Sequence, residues 1–586
     1  MSDQARYITT PIYYVNDRPH IGHVYTTTLC DVYARAMRMQ NFDVFFLTGT
    51  DEHGVKVEQS AIAKGVTPQV LADENSAAFR SIMDSFDLTN DDFIRTTDEA
   101  HMKQVQRFVE KLLESGDVYL GTFEGWYDEG QEEYYTETNA KEIDYKSPVS
   151  GKSLVRATEQ NYYFKLSKYQ SAIEKLFEAN PDFVRPESRR NEMLGRLREG
   201  LQDVPISRTN FTWGIEMPGD ESHVIYVWID ALFNYITGLG LGDADSDWYK
   251  ERHHYWPAAY HVVGKEILWF HSIIWPAVLM ALDIPLPKCV YAHSFWISEG
   301  RKMSKSLGNF IDLEKIESYV NQYGSDAWRY YLVTQGPLGA TDADFAAEKF
   351  HDIYNAHLVN TIGNCTSRVT AMIQKYFYGE IPSEFNGDDR YEIGGVDWPT
   401  RCADAVNRWK EAMDKFELVK AANAPMELIR DVDLFINDTA PFKLAKDESK
   451  QVELGAILYQ CLETLRIATL LLKPLLPEKM GAFHQAIGLT DDARIELQFL
   501  DWGGLSAGTT IQKVALYPRV ELTASLAVFI IAVRMSPCKM LLGIVIRFDK
   551  FVTAFFVPFW IGSGKFLYPF AIGLIIALSK PLLNAK

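Results

Sequence analysis

The sequence predicts an α/β chain in which a parallel sheet covered by helices is interrupted by an insert and followed by an all-helical region. Three observations predict it. Short apolar runs alternate with amphipathic helical runs near the start, the alternation returns after about residue 223, and strand signals vanish from about residue 350. Arg6 to Tyr14, rich in β-branched and aromatic residues, reads as the first buried strand. A helix follows from Gly22 to Gln40, with Tyr25, Leu29, Val32, Tyr33 and Ala36 on one face and Asn41 as its stop. Asp43 to Thr48 is a second strand. Asp98 to Ser115 is a helix with Met102, Val105, Phe108, Val109 and Leu112 inward, closed by Gly116.

The alternation breaks between about Val118 and Met217, where β-like pieces such as Thr122 to Tyr127 and the aromatic run Tyr162 to Leu166 mix with polar turns. This stretch reads as an insertion and not as a continuation of the sheet. The pattern resumes with a strand at His223 to Trp228, a helix from Asp230, a strand at Tyr260 to Val263, a helix from Lys265 to Leu282 and a strand at Cys289 to Ile297. From Phe350 to Pro477, amphipathic segments such as Ala405 to Val419 and Leu454 to Leu472 predict a helical bundle. The end of the chain differs in character: Leu526 to Val533, Met540 to Ile546 and Phe551 to Leu578 are strongly apolar. The last holds only Lys565 as a charge, so its length permits a membrane span, although Pro558, Gly562, Gly564, Pro569 and Gly573 disfavour one smooth helix. Three origins stand for this tail: a membrane anchor, a packed extra element, or an aberrant terminus left by a frameshift, which is the favoured one.

The 586 residues exceed what one core organises, and 47% hydrophobic with 23% charged residues is an ordinary soluble composition. A formal net charge of −19 excludes nucleic-acid binding by bulk charge, though not by a local basic face. Six cysteines are scattered with no CxxC pair, which suits reduced thiols in a cytoplasmic protein. Met1 to Tyr7 is polar and offers no signal-peptide core.

Two motifs carry chemistry. His20-Ile21-Gly22-His23 lies between the first strand and its helix, where unpaired N–H groups and the dipole favour phosphate, Gly22 permits close backbone approach, and two imidazoles can donate to phosphate oxygens. Lys302-Met303-Ser304-Lys305-Ser306 follows the strand ending near Ile297, and its two ammonium groups suit neutralisation of a pyrophosphate leaving group. Alone, two histidines can merely cap a helix and a basic loop is usually solvated surface. Together and in this order they are hard to read that way.

The pair resembles the signature motifs of class I aminoacyl-tRNA synthetases. Longer stretches narrow the resemblance to the bacterial methionine-specific family over roughly the first 520 residues: Tyr7-Ile-Thr-Thr-Pro-Ile-Tyr-Tyr14, Leu47-Thr-Gly-Thr-Asp-Glu-His-Gly54, Tyr226-Val-Trp-Ile-Asp-Ala231 and Gly264-Lys-Glu-Ile-Leu-Trp-Phe-His271. The resemblance implies a Rossmann-like catalytic domain in two halves (1–117 and 223–325) split by an inserted connective domain (118–222). A stem-contact connection (326–349), a helical anticodon-binding domain (350–521) and the apolar tail (522–586) follow. It implies ATP-dependent ligation of L-methionine to methionine tRNA through methionyl-adenylate, with Mg²⁺ accompanying ATP. His20, His23, Lys302 and Lys305 would be catalytic. Gly22, His20, His23, Gly264, Lys265, Glu266 and Lys305 would hold ATP. Ile12, Tyr14, Trp228, Ala231, Leu232, Tyr235, Ile267, Phe270, His271 and Trp275 would line the methionine pocket, and Asp51 would hold the ammonium. A soft thioether suits aromatic walls, with Tyr235 and His271 as polar tips; core packing is the other reading for Ile267 and Trp275. Asn364 and Arg368, four apart on a helix, would read the CAU anticodon of initiator and elongator tRNA, with Phe442 stacking where relatives carry Trp.

Two departures shape further expectations. Gly125 to Tyr134 lacks the cysteines of a zinc knuckle, so no structural zinc is expected. The resemblance ends after Leu516-Tyr-Pro-Arg-Val-Glu521, so an OB-type dimerisation domain is not expected and a monomer is favoured. Synthetases for leucine, isoleucine or valine need a larger editing insertion than the stretch between the motifs allows. An inert tRNA-binding paralogue would not be expected to keep all four catalytic residues, and a purely membrane-anchored protein leaves the body of the chain unexplained.

Overall fold

Proline decides where the first strand ends. In this computed structural model, which describes residues 4–16, 18–128, 133–135, 137–298, 300–303, 309–383, 394–489, 497–521, 527–536, 539–548 and 551–560, the run expected as one strand divides around Pro11. Its two parts are β1 (Ala5–Thr9) and the short continuation Tyr13–Tyr14, because proline has no N–H for the ladder. With β2 (Asp43–Asp51), β3 (Asp92–Arg95), β4 (Val184–Arg185), β5 (Ala259–Gly264) and β6 (Cys289–His293) these make a seven-stranded sheet. Its order is β3-β2-β1-β5-β6-β4, with Tyr13–Tyr14 alongside the end of β2, and each pairing is parallel. From β1 the chain builds outward to one side, and from β5 to the other. The switch between the two directions opens a crevice beyond the carboxyl ends of β1 and β5.

Helices cover the sheet. Against it pack α1 (Ile21–Met39), α2 (Glu99–Glu114) and α3 (Val227–Thr237), with α1 and α3 almost wholly buried. Two expectations are corrected here. The insert does contribute to the sheet: β4, only two residues long, pairs with β6 (Val290 with Val184), and so short a strand has no periodicity to read. The strand expected at His223 to Trp228 is instead Asp220–Ile225 in a small antiparallel sheet, and Trp228 already lies in the first turn of α3. Short apolar runs do not distinguish these cases. Likewise the strand expected to run from Cys289 to Ile297 ends at His293, and Trp296–Ser298 belongs to another sheet.

Within the insert, Val118–Asp128 pairs antiparallel with Val155–Phe164. Beside this pair, Glu137 accepts hydrogen bonds from Trp126 Nε1 (2.8 Å) and the Tyr145 hydroxyl (2.9 Å), whose rings lie 4.7 Å apart.

The helical region follows α4 (Ser325–Gln335) and comprises α5 (Asn364–Tyr376), α6 (Trp398–Asp414), α7 (Leu418–Thr439), α8 (Gln451–Leu472) and α9 (Pro477–Ala486). By length and composition Glu448–Leu472 could cross a membrane, but its apolar stretch is fully buried and serves as the core of the bundle. Arg329 on α4 joins the bundle to the sheet domain. Its guanidinium donates to Asp31 of α1 at 2.6 Å and to the carbonyls of Pro474 and Leu475 at 3.0 and 3.1 Å. Both charged partners are fully buried, so the added carbonyl acceptors matter for offsetting desolvation.

Residues 519–586 form a separate unit. There Ala527–Ser536, Lys539–Phe548 and Phe551–Trp560 make an antiparallel three-stranded sheet. The start of the segment long enough for a membrane span is therefore a strand; its remainder, 561–578, lies outside the described residues.

Candidate active site

The crevice at the switch point is a cavity of about 310 Å³. Both halves of the interrupted domain build it: Ile12, Tyr14, His20, Gly22, His23 and Asp51 from the first, and Trp228, Ala231, Leu232, Tyr235, Gly264, Glu266, Ile267 and His271 from the second. Residues far apart in sequence meet because β1 and β5 are neighbours in the sheet.

At one end sit the two histidines. His20 is the N-cap of α1, and the pair forms a reciprocal capping box: the Gly22 N–H donates to His20 Nδ1 (3.0 Å) and the His20 N–H donates to His23 Nδ1 (3.2 Å). A nitrogen that accepts carries no proton, so the neutral imidazoles are both Nε2–H tautomers. Burial, followed by the neighbouring His20, holds the His23 pKa well below its ordinary value, so that ring is neutral at pH 7. The rings lie 3.9 Å apart, and Phe79 and Phe310 meet them edge-on. A Cβ at Gly22 would stand 2.9 Å from His20 Cε1, so glycine also leaves room for the capping ring. The segment after the lysine loop is tied to the same turn, through the Ile21 N–H to the Ile311 carbonyl (3.1 Å) and a bridge between His20 and Asp312.

The other end is apolar and uncharged. Trp228 and Phe270 stack at 4.2 Å with an interplanar angle of 11°. His271 donates from Nδ1 to the Ile267 carbonyl (2.9 Å), which leaves Nε2 to accept from the Tyr235 hydroxyl (2.7 Å). Burial lowers the His271 pKa to about 4 and raises that of Tyr235, so both are neutral. Asp51, at the end of β2, lines the same cavity and is nearly buried. The Gly54 turn after it has φ +101°, and a Cβ there would lie 2.9 Å from the Tyr14 hydroxyl, so glycine lets Tyr14 reach the site.

Some expected site residues stand elsewhere. Trp275 is 1% exposed and packs on Phe233, Tyr235 and Trp256, behind the cavity and not in its wall. The cause is local geometry. The helix expected to run unbroken from Lys265 to Leu282 is a 3₁₀ turn at Lys265–Ile267, a π-turn at Phe270–Ile274 and an α-helix from Trp275. The wider turn breaks the four-residue phase that would align Trp275 with His271. Phe270 belongs to the wall only through its stack on Trp228. Lys265 does not itself line the cavity; it pairs with Asp342 (2.7 Å) over the ring of Phe295, which does. Lys302 has a described backbone, in the strand Arg301–Lys302 paired with Trp296–Ser298; Lys305 lies outside the described residues.

The cavity also contains residues the motifs did not announce: Thr26, Lys56, Asn234 and His293. Thr26 on α1 and His293 at the end of β6 are bonded at 2.8 Å, and burial lowers the His293 pKa to about 4. A polar residue at the carboxyl end of a parallel strand is a readable signal for His293.

In the bundle, Asn364 is exposed and Arg368 half-buried, one turn apart on α5. Arg368 donates to Asp433 and Asn437 of α7, each at 2.9 Å. Beyond the end of α7, Ala440 at φ +47° turns the chain into Pro441–Leu444, which presents Phe442 with 44% of its surface exposed. Arg368 thus points to the end of α7 from which Phe442 follows.

The family model described as tRNA synthetases class I (M) matches residues 6–143 and 138–370. The methionine–tRNA ligase of Halalkalibacterium halodurans is 42% identical over 532 residues, 89% of this chain and 79% of the relative. That of Bacillus subtilis is 41% identical over 534 residues, with 89% and 79% covered. Among solved structures, Mycobacterium tuberculosis methionyl-tRNA synthetase in complex with methionyl-adenylate superposes with a TM-score of 0.81 at 35% identity, over 88% of this chain and 99% of that one. By sequence over most of its length and by superposition, the chain belongs to the methionine–tRNA ligase family of class I tRNA synthetases.

Proposed function

We infer that the chain activates L-methionine with ATP and transfers it to the 3′ end of methionine tRNA. The observation that carries this is one cavity with two chemically opposite ends: a helix N-terminus capped by two histidines, and an aromatic pocket bordered by a carboxylate. The methionine ammonium would pair with Asp51 and the thioether would lie among Trp228, Ala231, Leu232, Tyr235 and His271. Its carboxylate oxygen would then face the ATP α-phosphorus. Attack forms the acyl–phosphate bond and expels pyrophosphate, while the histidine N–H groups stabilise the charge gathering on the phosphoryl oxygens, and Lys302 and Lys305 that on the leaving group. The terminal ribose 2′-hydroxyl of the tRNA then attacks the carbonyl and releases AMP.

Mg²⁺ would come with the triphosphate and supply charge neutralisation. Among the described residues no group of three or more His, Cys, Asp or Glu converges as a resident metal site. For the insert we propose a zinc-free fold, supported by the Trp126–Glu137–Tyr145 cluster of non-thiolate groups. Asn364, Arg368 and Phe442 would read the CAU anticodon. A cytoplasmic setting suits the five described cysteines, which are buried free thiols.

The test is ATP–pyrophosphate exchange with each of the twenty amino acids. Methionine is expected to support exchange far above all others; comparable exchange with leucine, isoleucine or valine overturns the reading.

A further inference from the structure

Behind the cavity lies a buried chain of polar groups that the reaction does not consume. Asp230 on α3 is fully buried, and each of its carboxylate oxygens takes one imidazole N–H. His53 Nδ1 approaches Oδ2 at 2.7 Å, and His101 Nε2 approaches Oδ1 at 2.8 Å. His101 Nδ1 meets the Thr237 hydroxyl at 2.7 Å, two turns further along the same face of α3. Burial pushes the Asp230 carboxyl up, but the charge of His53 and the hydrogen bonds from both imidazoles outweigh it and hold it below the usual carboxylate value. Asp230 is therefore an acceptor only. Each imidazole donates to Asp230 through the nitrogen that faces it.

The placement of these groups gives the chain its meaning. His53 follows Asp51 by two residues, at the end of β2, and its backbone neighbours are gripped by Trp213: the indole N–H donates to the Glu52 carbonyl (2.6 Å) and the Gly54 N–H donates to the Trp213 carbonyl (3.0 Å). His101 is anchored on α2, which packs on the far side of α3. The opposite face of α3 carries Trp228, Ala231, Leu232 and Tyr235 into the cavity. One carboxylate thus joins the strand end that holds the candidate ammonium site to the helix that holds the candidate side-chain wall.

We propose that Asp230, clamped by His53 and His101, is a positioning residue that sets the distance between Asp51 and the α3 wall, and so selects an amino acid by the length of its side chain. This rests on the methionine-activating reading given above. A group linking the two walls of a pocket acts as a ruler, because a buried clamp resists the shift that a longer or shorter side chain needs.

Asp230→Asn preserves shape but removes the carboxylate charge and places an amide N–H₂ against one imidazole N–H, forcing either a change of that ring's tautomer or the loss of its bond. In pyrophosphate exchange, KM for methionine is expected to rise about tenfold while KM for ATP stays constant. Preference for methionine over norleucine, ethionine and homocysteine is expected to fall. A lower kcat with unchanged KM and unchanged analogue preference, which is what loss of folded enzyme alone produces, overturns the proposal. Should Asp230→Asn not fold, Thr237→Val decides, since it leaves both bonds of Asp230 in place and removes the distal bond together with a long 3.4 Å contact to the Asn234 carbonyl within α3. A smaller rise in methionine KM with weakened analogue discrimination supports the ruler, and wild-type values of both overturn it. Absence of methionine-dependent exchange in the unaltered protein would instead strike the functional reading itself.

Discussion

The cavity between the two catalytic halves and the Arg368 end of the bundle offer recognition in different ways. In the pocket, two sets of polar side chains are paired and neutral: His271 between Tyr235 and the Ile267 carbonyl, and Thr26 against His293. On the bundle, Arg368 is charged, partly exposed and held by Asp433 and Asn437. A substrate entering the pocket meets fixed walls. A base approaching Arg368 must share or replace existing partners, so its binding energy is a difference between two sets of hydrogen bonds. Prearrangement is thus a property of the dry site, and exchange a property of the wet one.

The joint between the two regions is the place to break this contrast with the largest effect. Asp326, on α4 beside Arg329, is buried and accepts the N–H groups of Glu478 and Lys479 at the start of α9. Burial dominates and pushes its pKa up to about 6. A carboxyl whose pKa is higher in the folded chain than in the unfolded one favours folding when protonated. This contribution is complete below about pH 4 and is lost as pH rises to 6. The difference is on the order of 3 kcal/mol. The urea midpoint is therefore expected to fall between pH 4.5 and 7, after allowance for the other carboxylates. In Asp326→Asn that component should vanish, and an identical pH profile in the variant would refute it.

A smaller effect tests the wet site. Arg368→Ala is expected to lower kcat/KM for charging methionine tRNA by about 10- to 100-fold. Pyrophosphate exchange, which uses only the pocket, should keep its wild-type rate. A parallel loss in both assays would mean that the bundle and the pocket are not separable as described. The smallest effect belongs to Phe442→Trp. The larger indole face is expected to improve kcat/KM for charging by about two- to threefold, without changing exchange. No gain would show that Phe442 does not stack on a base.

Local chemistry was legible in the sequence, and long-range packing less so. The His20–His23 turn could be read because its partners lie within four residues, and the alternation around β1, β2 and β5 could be read because those strands are buried on both faces. The fate of Trp275 could not, since an α-helix and a π-turn carry the same apolar residues and differ only in phase. Lys265 was misplaced because its partner Asp342 is distant in the chain and nothing near Lys265 announces it. The Asp230 clamp was invisible for the same reason: its ends come from β2, α2 and α3. The two-residue strand β4 leaves too short a trace for any periodicity.

The reciprocal cap at His20 and His23 limits which residues can replace them. Each ring spends its inner lone pair on a backbone N–H, and in the proposed reaction its outer nitrogen would donate to a phosphate. Lysine or arginine would bring more positive charge to that spot yet offers no acceptor, so the first turn of α1 would fray beneath it. Asparagine and glutamine join an acceptor and a donor in one planar group, and they are the substitutes that the turn could tolerate. The motif is therefore a requirement for one group with two faces, and extra charge alone cannot satisfy it.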